Sequence, residues 1–374
     1  MKLLLFCSLS LASAQTLADI TSAYNQLTTY YNYSSGLFGD FSVGIPFWTT
    51  ANAIETISNY YTVSKDSSVF QYLENSYVKL RESKRYCNCY RDDQLWYVLA
   101  WARAYEVFQN VTYLQQSEEI YANLVGPYQA WNTTCGGMNW YSKSPYRNAI
   151  TNELFLAAST KLHLVTGSNT PVSNFSYADW ALVEWTWLNS TSMYQPGKGL
   201  FMDGLPQNNC SVLAPAVGAI WTYNQGVILD ALARMEIIFG DPSYSAFAYQ
   251  IASSSFTYFN GGNADNVMRE ISCSANGSCG GIDGQMFKGV FIRHLMYAKN
   301  MISQGDSAKL AAINQWISTQ TNSILTVGST ITKDGLLSIS DLWQGPYDTK
   351  NKAPYVAQGS GLDALLAGYT GSKI

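Results

Sequence analysis

Asp92 and Asp93 are adjacent carboxylic acids at the start of the most apolar helical segment of the sequence, which runs through residues 95–102 without a polar stripe. If both carboxyl groups are partly buried, their titrations are coupled, and one ionises readily while the other keeps its proton longer. An anion beside a proton donor is the pair that glycoside hydrolysis requires, roughly 5–5.5 Å apart in retaining enzymes. The alternative is a capping aspartate with a salt bridge to Arg91. The spacing alone favours neither interpretation.

Helical periodicity is frequent along the chain, whereas strand-like alternation rarely persists. The pattern predicts twelve helices, near residues 16–33, 47–64, 66–80, 91–109, 112–125, 148–166, 176–190, 214–239, 242–259, 284–303, 307–325 and 353–368. A helix that is apolar all round, such as the one after Asp93, is buried on several sides. We therefore expect an all-α fold in two layers, an (α/α)6 barrel whose six inner helices are wrapped by outer ones.

The composition of the 374-residue chain is that of a globular protein rich in aromatic rings and poor in charge. Charged residues make up 13% of the chain, against about 25% in a typical soluble domain. Its 11 Trp, 27 Tyr and 15 Phe residues exclude intrinsic disorder, which requires few aromatics and a high net charge. A formal net charge of −4 gives no basic excess, so we expect no nucleic-acid partner.

The first 14 residues have the three parts of a secretory signal peptide. Residues 1–2 supply a positive charge, residues 3–11 are apolar, and residues 12–14 read Ala-Ser-Ala, a small-residue cleavage site. The apolar run is too short to span a bilayer. Residues 367–374 lack the hydrophobic tail of a lipid-anchor signal. We therefore expect a secreted, extracellular protein without a membrane anchor.

Residues 15–374 contain no Pro/Ser-rich stretch, charge block or composition shift that would mark a domain boundary. We expect a single catalytic domain over 15–374, acting as a monomer. Seven Asn-x-Ser/Thr sequons on a chain with a signal peptide also predict glycosylation. They begin at Asn32, Asn110, Asn132, Asn174, Asn189, Asn209 and Asn276.

Cysteine usage agrees with an oxidising compartment, where an even number of cysteines predicts disulfides. Cys7 leaves with the signal peptide, and six remain: Cys87, Cys89, Cys135, Cys210, Cys273 and Cys279. Six cysteines permit three disulfides in 15 pairings. Cys273 and Cys279 lie in one polar, Gly-rich loop and are predicted to pair. Cys87 and Cys89 are separated by one residue, so each is predicted to reach a partner elsewhere.

Metal chemistry is not indicated by the sequence. The two histidines, His163 and His294, lie in apolar helical runs and are predicted to be packed helix residues rather than zinc ligands. We expect no metal and no cofactor, because a two-carboxylate glycosidase mechanism needs neither.

Three predicted loops, at residues 132–146, 197–210 and 340–348, combine aromatic rings with carboxamides, glycines and an occasional acid. Loops on a rigid scaffold are where binding residues concentrate. A flat ring pairs with the C–H face of a pyranose, and amides bond its hydroxyls, so these loops are candidates for a sugar site. The alternative is that their rings close the ends of the core.

Residues 91–101, Arg-Asp-Asp-Gln-Leu-Trp-Tyr-Val-Leu-Ala-Trp, resemble the Asp-Asp motif of glycoside hydrolase family 76, the endo-α-1,6-mannanases. The resemblance continues in order along most of the mature chain, through residues 47–55, 136–140, 146–155, 203–204, 223–226, 287–289 and 343–346. The sequence departs from the family at Arg91, where an aromatic or small residue often stands. A close cation there would hold an aspartate more firmly ionised.

The resemblance implies an (α/α)6 barrel with an open cleft and retaining cleavage of α-1,6-mannosidic bonds. Its fungal relatives act in cell walls, so the implied partner is an α-mannan polysaccharide or oligosaccharide. By position, Asp92 would be the nucleophile and Asp93 the general acid/base. Asp203 matches a family acid in the cleft, where it would bind a substrate hydroxyl.

Further candidates follow from the same resemblance, each with either a sugar contact or a supporting role. They are Asn52, Trp140, Asn148, Asn152, Tyr223, Asn224, Gln225 and Lys288. Asn148 and Asn152 are four residues apart and so share a helix face, which favours a joint role.

Three alternatives remain beside a secreted endo-α-1,6-mannanase. A transglycosylase would join wall glycans instead of hydrolysing them. A non-catalytic mannan-binding protein would use the same barrel, although the intact Asp92-Asp93 pair counts against it. The barrel could also act on another sugar, because one fold hosts many activities.

Overall fold

The computed structural model describes residues 15–39, 46–83, 90–127, 129–207, 209–273, 279, 282–350 and 354–371. Within these ranges, the chain forms the twelve predicted helices and three short hairpins. The helices are α1 (Leu17–Thr28), α2 (Phe47–Ser64), α3 (Val69–Glu82), α4 (Arg91–Phe108), α5 (Val111–Val125), α6 (Ala149–Thr166), α7 (Tyr177–Ser190), α8 (Thr222–Phe239), α9 (Ser243–Tyr258), α10 (Ile282–Ile302), α11 (Ser307–Ser323) and α12 (Pro354–Gly368).

The even-numbered helices form a closed inner ring. Each packs against the next, from α2 through α4, α6, α8 and α10 to α12, and α12 returns to α2. The odd-numbered helices lie outside: α3 packs on α2, α5 on α4, α7 on α6, α9 on α8, and α11 and α1 on α12. This arrangement is an (α/α)6 barrel, which confirms the predicted fold class.

The two layers follow from the distribution of apolar residues. Residues 95–102 of α4 are all buried, because this inner helix has neighbours on every side. The outer helix α9 is buried only at Ser245, Ala248, Ile251, Ala252 and Ser255, the spacing of a single helical face. The position of a helix in the barrel can thus be recognised from its apolar pattern.

Two pairs of inner helices approach each other closely at glycines. A Cβ at Gly289 of α10 would lie 2.4 Å from Cα of Ser360 on α12, and one at Gly226 of α8 would lie 2.4 Å from Cα of Phe291. Both contacts are with backbone, which cannot rotate away. The ring closes at this spacing only because these positions carry no side chain.

We predict that Gly289→Ala lowers the free energy of unfolding by about 1–3 kcal/mol, the usual cost of overpacking a core. The control is Gly197→Ala, because no atom lies within 4 Å of a Cβ at Gly197. Equilibrium denaturation in guanidinium chloride measures both variants. An equal stability for the two would contradict the close helix approach.

The hairpins pair β1 (Tyr31–Asn32) with β2 (Leu37–Phe38), β3 (Tyr194–Gln195) with β4 (Leu200–Phe201), and β5 (Ser329–Ile331) with β6 (Leu337–Ile339). The predicted extension of the first helix to residue 33 is wrong, because its last residues turn into β1. A π-helical turn at Ile324–Gly328 follows α11.

The prediction that α8 begins at residue 214 is also wrong. Residues 214–221 form a loop that pairs with the segment around Asp203: the Asp203 N–H donates to the Ala219 carbonyl at 2.9 Å, and the Val217 N–H to the Gly204 carbonyl at 2.8 Å. Gly218 has a φ of +84°, and a Cβ there would lie 2.5 Å from that of Asp203. The loop therefore packs closely against Asp203 and fixes its backbone.

Two disulfides are present among the described cysteines. Cys273–Cys279 confirms the predicted local bridge. Cys135–Cys210 joins the loops at residues 132–146 and 197–210. The prediction that Cys87 and Cys89 pair elsewhere lies outside the described residues, as does the predicted signal peptide at residues 1–14.

Both histidines lie on helices. His294 is buried on α10 with Nδ1 3.1 Å from Oδ2 of Asp230, and His163 lies in the last turn of α6. The described part of the chain contains no group of three or more His, Cys, Asp or Glu side chains that could hold a metal ion. None of its helices is both long and apolar enough to cross a bilayer.

Candidate active site

A cleft of about 420 Å³ opens where the inner helices begin, a volume within the range of small-molecule sites. The first turns of α2, α4, α8 and α10 contribute to it, together with the residues that precede α6. Its lining comprises Trp48, Tyr90, Asp92, Asp93, Trp96, Trp140, Tyr146, Asn148, Asp203, Tyr223, Asp283 and Phe287.

Six of the eleven residues proposed from the sequence therefore lie together. These are Asp92, Asp93, Trp140, Asn148, Asp203 and Tyr223. They come from distant parts of the chain and meet because the N-terminal ends of the inner helices share one end of the barrel. The other five residues lie outside the cleft lining.

Asp92 is oriented by two hydrogen bonds. The Asp93 backbone N–H donates to Oδ1 at 3.0 Å, and Trp140 Nε1 donates to Oδ2 at 2.9 Å. Burial raises the pKa of Asp92 to about 7, the nearby charge of Asp283 adds to the rise, and these two donors oppose it. Both oxygens accept hydrogen bonds, which favours the ionised form of the carboxyl group, although the effect of burial on the pKa is larger.

The alternative reading of the motif, a salt bridge to Arg91, does not describe the structure. Nη1 of Arg91 donates to the carbonyls of Ala130 and Asn139, each at 3.1 Å. No ion pair between Arg91 and a carboxylate occurs among the described residues. The expectation that Arg91 would hold a neighbouring aspartate ionised is therefore wrong for Asp92.

Asp203 is held at the cleft by its surroundings on three sides. Tyr146 donates its hydroxyl to Oδ2, the Asp203 carbonyl accepts from the Ala149 N–H at 2.6 Å, and Gly218 packs against its Cβ. Burial raises the pKa of Asp203, although side-chain bonds from Tyr146 and Trp221 oppose the rise. Asp203 is thus a third carboxyl group in the lining of the cleft, distant in sequence from the Asp92-Asp93 pair.

Aromatic rings form much of the cleft wall. Tyr223 stacks on Phe287 with ring centroids 3.8 Å apart, and Trp48 lies 5.8 Å from Trp96. Such rings offer flat apolar faces beside polar groups, which suits a pyranose with its C–H faces and hydroxyls. The cleft combines carboxyl groups with these surfaces.

Asp283 lines the cleft and was not predicted. It lies in the first turn of α10, and Trp48 Nε1 donates to its Oδ1 at 2.8 Å. Trp48, Tyr90, Trp96, Tyr146 and Phe287 also line the cleft without having been singled out. The position of Asp283 in the sequence could have indicated its role. Like Asp92, it lies at the start of an inner helix, and the inner helices begin at the same end of the barrel.

Two of the residues outside the cleft form hydrogen bonds to the backbone of its loops. Asn152 accepts from the Met138 N–H at 2.6 Å and donates to the carbonyls of Met138 and Asn148 at 3.1 and 2.7 Å. Gln225 accepts from the Phe201 N–H at 2.8 Å and donates to its carbonyl at 2.9 Å. These amides position the loops that carry Trp140 and Asp203, which favours support over sugar contact.

The remaining three residues are buried beneath the cleft. Asn52 donates to the Trp48 carbonyl at 3.1 Å and accepts from Arg293. Lys288 donates to the Asp341 carbonyl, and burial lowers its pKa to about 8. Asn224 is fully buried, and its side chain has no hydrogen-bond partner among the described residues.

The loop at residues 340–348 does not line the cleft. Trp343 is fully buried and lies 4.9 Å from Nζ of Lys288. For Trp343, the alternative that the ring closes the core is correct. The loops at residues 132–146 and 197–210 do reach the cleft, through Trp140, Tyr146 and Asp203.

The environment of Asp92 makes a prediction about pH. If ionised Asp92 is the attacking group, kcat/KM rises with pH and reaches half its maximum near pH 7, because the raised pKa keeps the group protonated below that. Trp140→Phe removes a donor that favours the ionised form, and a hydrogen bond to a charged group is worth about 1.5–3 kcal/mol. We predict that the pH at which kcat/KM reaches half its maximum rises by roughly one to two pH units.

Asp283→Asn is the opposing variant, because it removes a like charge that raises the pKa of Asp92. Its acidic limb should move to lower pH. The measurement is kcat/KM from pH 4 to 9 for all three proteins. A limb that falls rather than rises through pH 7 would indicate that Asp92 acts as the proton donor.

The barrel and the cleft together define the class of the fold: adjacent aspartates lie among aromatic walls at one end of an (α/α)6 barrel. By sequence, the chain belongs to glycosyl hydrolase family 76. The family model matches residues 10–364, nearly the whole sequence.

Curated relatives match part of their own length. The chain is 26% identical over 236 residues to the mannan endo-1,6-alpha-mannosidase DCW1 of Candida glabrata, which covers 59% of this chain and 48% of that protein. It is 24% identical over 255 residues to DCW1 of Saccharomyces cerevisiae, covering 64% and 53%. The chain thus spans about half the length of these relatives.

Solved structures share the fold over almost the entire chain. An inactive variant of the alpha-1,6-mannanase GH76A of Salegentibacter sp. HEL1_6 has two adjacent aspartates replaced by alanine and alpha-1,6-mannotetrose bound. It superposes with a TM-score of 0.78 at 19% identity, covering 94% of this chain and 98% of that one. Dfg5 from Chaetomium thermophilum, in complex with glucosamine, gives a TM-score of 0.76 at 16% identity, covering 94% and 89%.

Proposed function

We propose that this protein is a retaining endo-α-1,6-mannanase that hydrolyses α-1,6-mannosidic bonds of mannan. The observation that carries the proposal is the adjacent pair Asp92-Asp93 in the cleft lining, beside two further carboxyl groups and several aromatic rings. Two kinds of relative support the choice of sugar: the curated fungal mannan endo-1,6-alpha-mannosidases and the bacterial alpha-1,6-mannanase. That bacterial enzyme is inactive when two adjacent aspartates are replaced.

In the proposed first step, the Asp92 carboxylate attacks the anomeric carbon, and the bond from that carbon to the leaving oxygen breaks. Asp93 donates its proton to this oxygen as general acid. A covalent glycosyl ester on Asp92 remains. Water then attacks the same carbon while Asp93 takes a proton from it, and the ester bond to Asp92 breaks, which restores the carboxylate. The product leaves with its configuration retained.

The remaining cleft residues would bind the sugar. Asp203 and Asn148 offer oxygens and an amide to hydroxyls, while Trp140 and Tyr223 offer ring faces. Trp140 would also hold Asp92 through the hydrogen bond of 2.9 Å. Asn52, Asn152, Asn224, Gln225 and Lys288 would support these groups from behind.

The proposal extends to the whole sequence. Residues 1–14 would be removed as a signal peptide, and residues 15–374 would form one secreted catalytic domain that works as a monomer. A neutral polymer requires no electrostatic steering, which agrees with a chain in which 13% of residues are charged.

The test is digestion of a matched panel: linear α-1,6-, α-1,2- and α-1,3-linked mannotetraoses, analysed by mass spectrometry. We expect cleavage of the α-1,6 oligosaccharide at an internal bond and none of the others. Asp93→Asn is the control, because it keeps the shape of the cleft while removing the acid. Cleavage of another linkage alone would refute the assigned sugar, binding without cleavage would favour a lectin-like protein, and products longer than the substrate would favour a transglycosylase.

A further inference from the structure

Part of the cleft wall is built from irregular chain rather than from helices, and backbone hydrogen bonds make it continuous. The Arg91 N–H donates to the Trp140 carbonyl at 3.0 Å, and the Trp140 N–H donates to the Tyr146 carbonyl at 2.7 Å. The Ala149 N–H donates to the Asp203 carbonyl at 2.6 Å. One chain of backbone contacts therefore runs from the start of α4 to Asp203.

Arg147 lies in the middle of this chain of contacts, between Tyr146 and Asn148, which both line the cleft. Arg147 is not among the described residues of the lining, and only 2% of it is exposed. Its carbonyl accepts from the Leu205 N–H at 3.0 Å. The backbone of Arg147 thus belongs to the cleft wall, while its side chain is buried outside the cleft.

The guanidinium of Arg147 joins the two loops that carry Trp140 and Asp203, at residues 132–146 and 197–210. Nη1 donates to the Cys135 carbonyl at 3.1 Å, and Nη2 donates to the Asn209 carbonyl. The disulfide between Cys135 and Cys210 connects the same two loops. Arg147 is therefore a second, non-covalent link beside the covalent one.

Trp187 of α7 holds this link from the outer layer. Its ring centroid lies 5.9 Å from the guanidinium carbon of Arg147, within the range of a cation–π contact. Its Nε1 donates to the Cys135 carbonyl at 3.2 Å, the carbonyl that also accepts from Arg147. The guanidinium is thus fixed by contacts from both loops and from an outer helix.

The geometry of the link requires arginine. A guanidinium presents its two Nη groups in a rigid planar fork, so it can bond two carbonyls from different loops at once. A lysine ammonium is a compact charge on a flexible stem and does not reproduce that fork. No ion pair of Arg147 with a carboxylate occurs among the described residues, so the link depends on the two carbonyls rather than on a counter-ion.

We propose that Arg147 is a positioning residue for the sugar site, which holds the Trp140 loop and the Asp203 loop in the relative position that substrate binding requires. It contacts neither the sugar nor the catalytic pair. It acts through the backbone that places Tyr146 against Asp203, whose Oδ2 accepts from the Tyr146 hydroxyl. This role rests on the proposed mannanase function, in which Asp203 binds a substrate hydroxyl.

A double-mutant cycle on α-1,6-mannotetraose tests this role, because substitutions of residues that act through one another are not additive. Arg147→Gln should lower kcat/KM by about 10–100-fold, the effect of one hydrogen bond to a charged group. Most of the loss should be in KM, since Asp92 and Asp93 lie on α4 rather than on the two loops. In the Asp203→Asn background, the same substitution should lower kcat/KM by less than about threefold.

Arg234→Gln is the matched control. Arg234 is also buried and donates to the Ala157 carbonyl at 3.2 Å, but it lies about 18 Å along α8 from the end at the cleft. This variant should be less stable than the parent and keep kcat/KM within about twofold, as expected for a distant site. Arg147→Lys keeps the charge without the fork and should lose nearly as much activity as Arg147→Gln.

Hydrogen exchange followed by mass spectrometry examines the link without a substrate. Exchange at residues 146–149 and 203–205 should be at least about tenfold faster in Arg147→Gln than in the parent, and unchanged in Arg234→Gln. If the parent does not cleave α-1,6-mannotetraose, the proposed function fails, while the exchange rates still decide whether Arg147 fixes the cleft wall.

Four results would overturn the positioning role. They are parent-like kcat/KM or parent-like exchange in Arg147→Gln, an equally large loss in the Asp203→Asn background, full activity in Arg147→Lys, and the same changes in activity and exchange in Arg234→Gln. The last of these would show that lost stability alone explains the effect.

Discussion

Asp92→Asn loses at least about 10⁴-fold in kcat/KM on α-1,6-mannan oligosaccharides, and Asp93→Asn loses about 10²–10⁴-fold, the contribution of one acid–base group. The two losses differ in kind because the groups have different tasks. Without Asp92, no covalent intermediate forms. Without Asp93, the leaving oxygen lacks its proton, but the attack itself remains possible.

An activated aryl α-mannoside separates the two roles, because its leaving group departs without a proton. On this substrate, Asp93→Asn should recover much of the first step, and added azide should accelerate turnover by replacing the water that Asp93 would activate. Asp92→Asn should stay inactive under both conditions. Recovery in Asp92→Asn and none in Asp93→Asn would reverse the assignment of the two residues.

Arg293→Met should be the most damaging single substitution for stability, at about 3–5 kcal/mol, the cost of removing one partner from a buried ion pair. Arg293 is fully buried on α10, with Nη1 2.7 Å from Oδ2 of Asp363 on α12 and Nε 3.6 Å from Oε2 of Glu55 on α2. It joins the helices that close the inner ring. Its loss leaves two carboxyl groups buried without their cation.

Arg81→Met is the matched control, because Arg81 and Glu119 form an ion pair at 3.1 Å with side chains 45% and 55% exposed. Exposed pairs contribute about 0–1 kcal/mol. Denaturation in urea, followed by far-UV circular dichroism, compares both variants with the parent. Adding Asp363→Asn to Arg293→Met should restore part of the loss, and equal stability of the two single variants would contradict a role for Arg293 in ring closure.

The sequence was sufficient for the fold because the inner helices carry an unusual pattern. Residues 95–102 are apolar all round. A helix of this kind is fully buried only if other elements pack on every side of it. The segment at residues 214–221 was misread for a related reason: its composition resembles a helix start, while its conformation depends on pairing with Asp203 and Gly204. Local pattern does not reveal a long-range partner.

The candidate site was predictable where residues are adjacent and not where the fold brings them together. The pair Asp92-Asp93 is visible as a motif, whereas Asp283 is an isolated acid whose place depends on α10 beginning beside α4. Sequence likewise could not separate Asn148, which lines the cleft, from Asn152, which fastens a loop behind it. The direction of Arg91 was also hidden, because its bonds to the Ala130 and Asn139 carbonyls depend on how a distant loop packs against α4.

The central claim is retaining hydrolysis of the α-1,6-mannosidic bond through the Asp92-Asp93 pair. The most direct measurement is ¹H NMR of α-1,6-mannotetraose during the first minutes of digestion, before mutarotation mixes the anomers. We predict that the new reducing end appears first as the α-anomer and later equilibrates with the β-anomer. Initial appearance of the β-anomer would demonstrate inversion and contradict a covalent intermediate on Asp92.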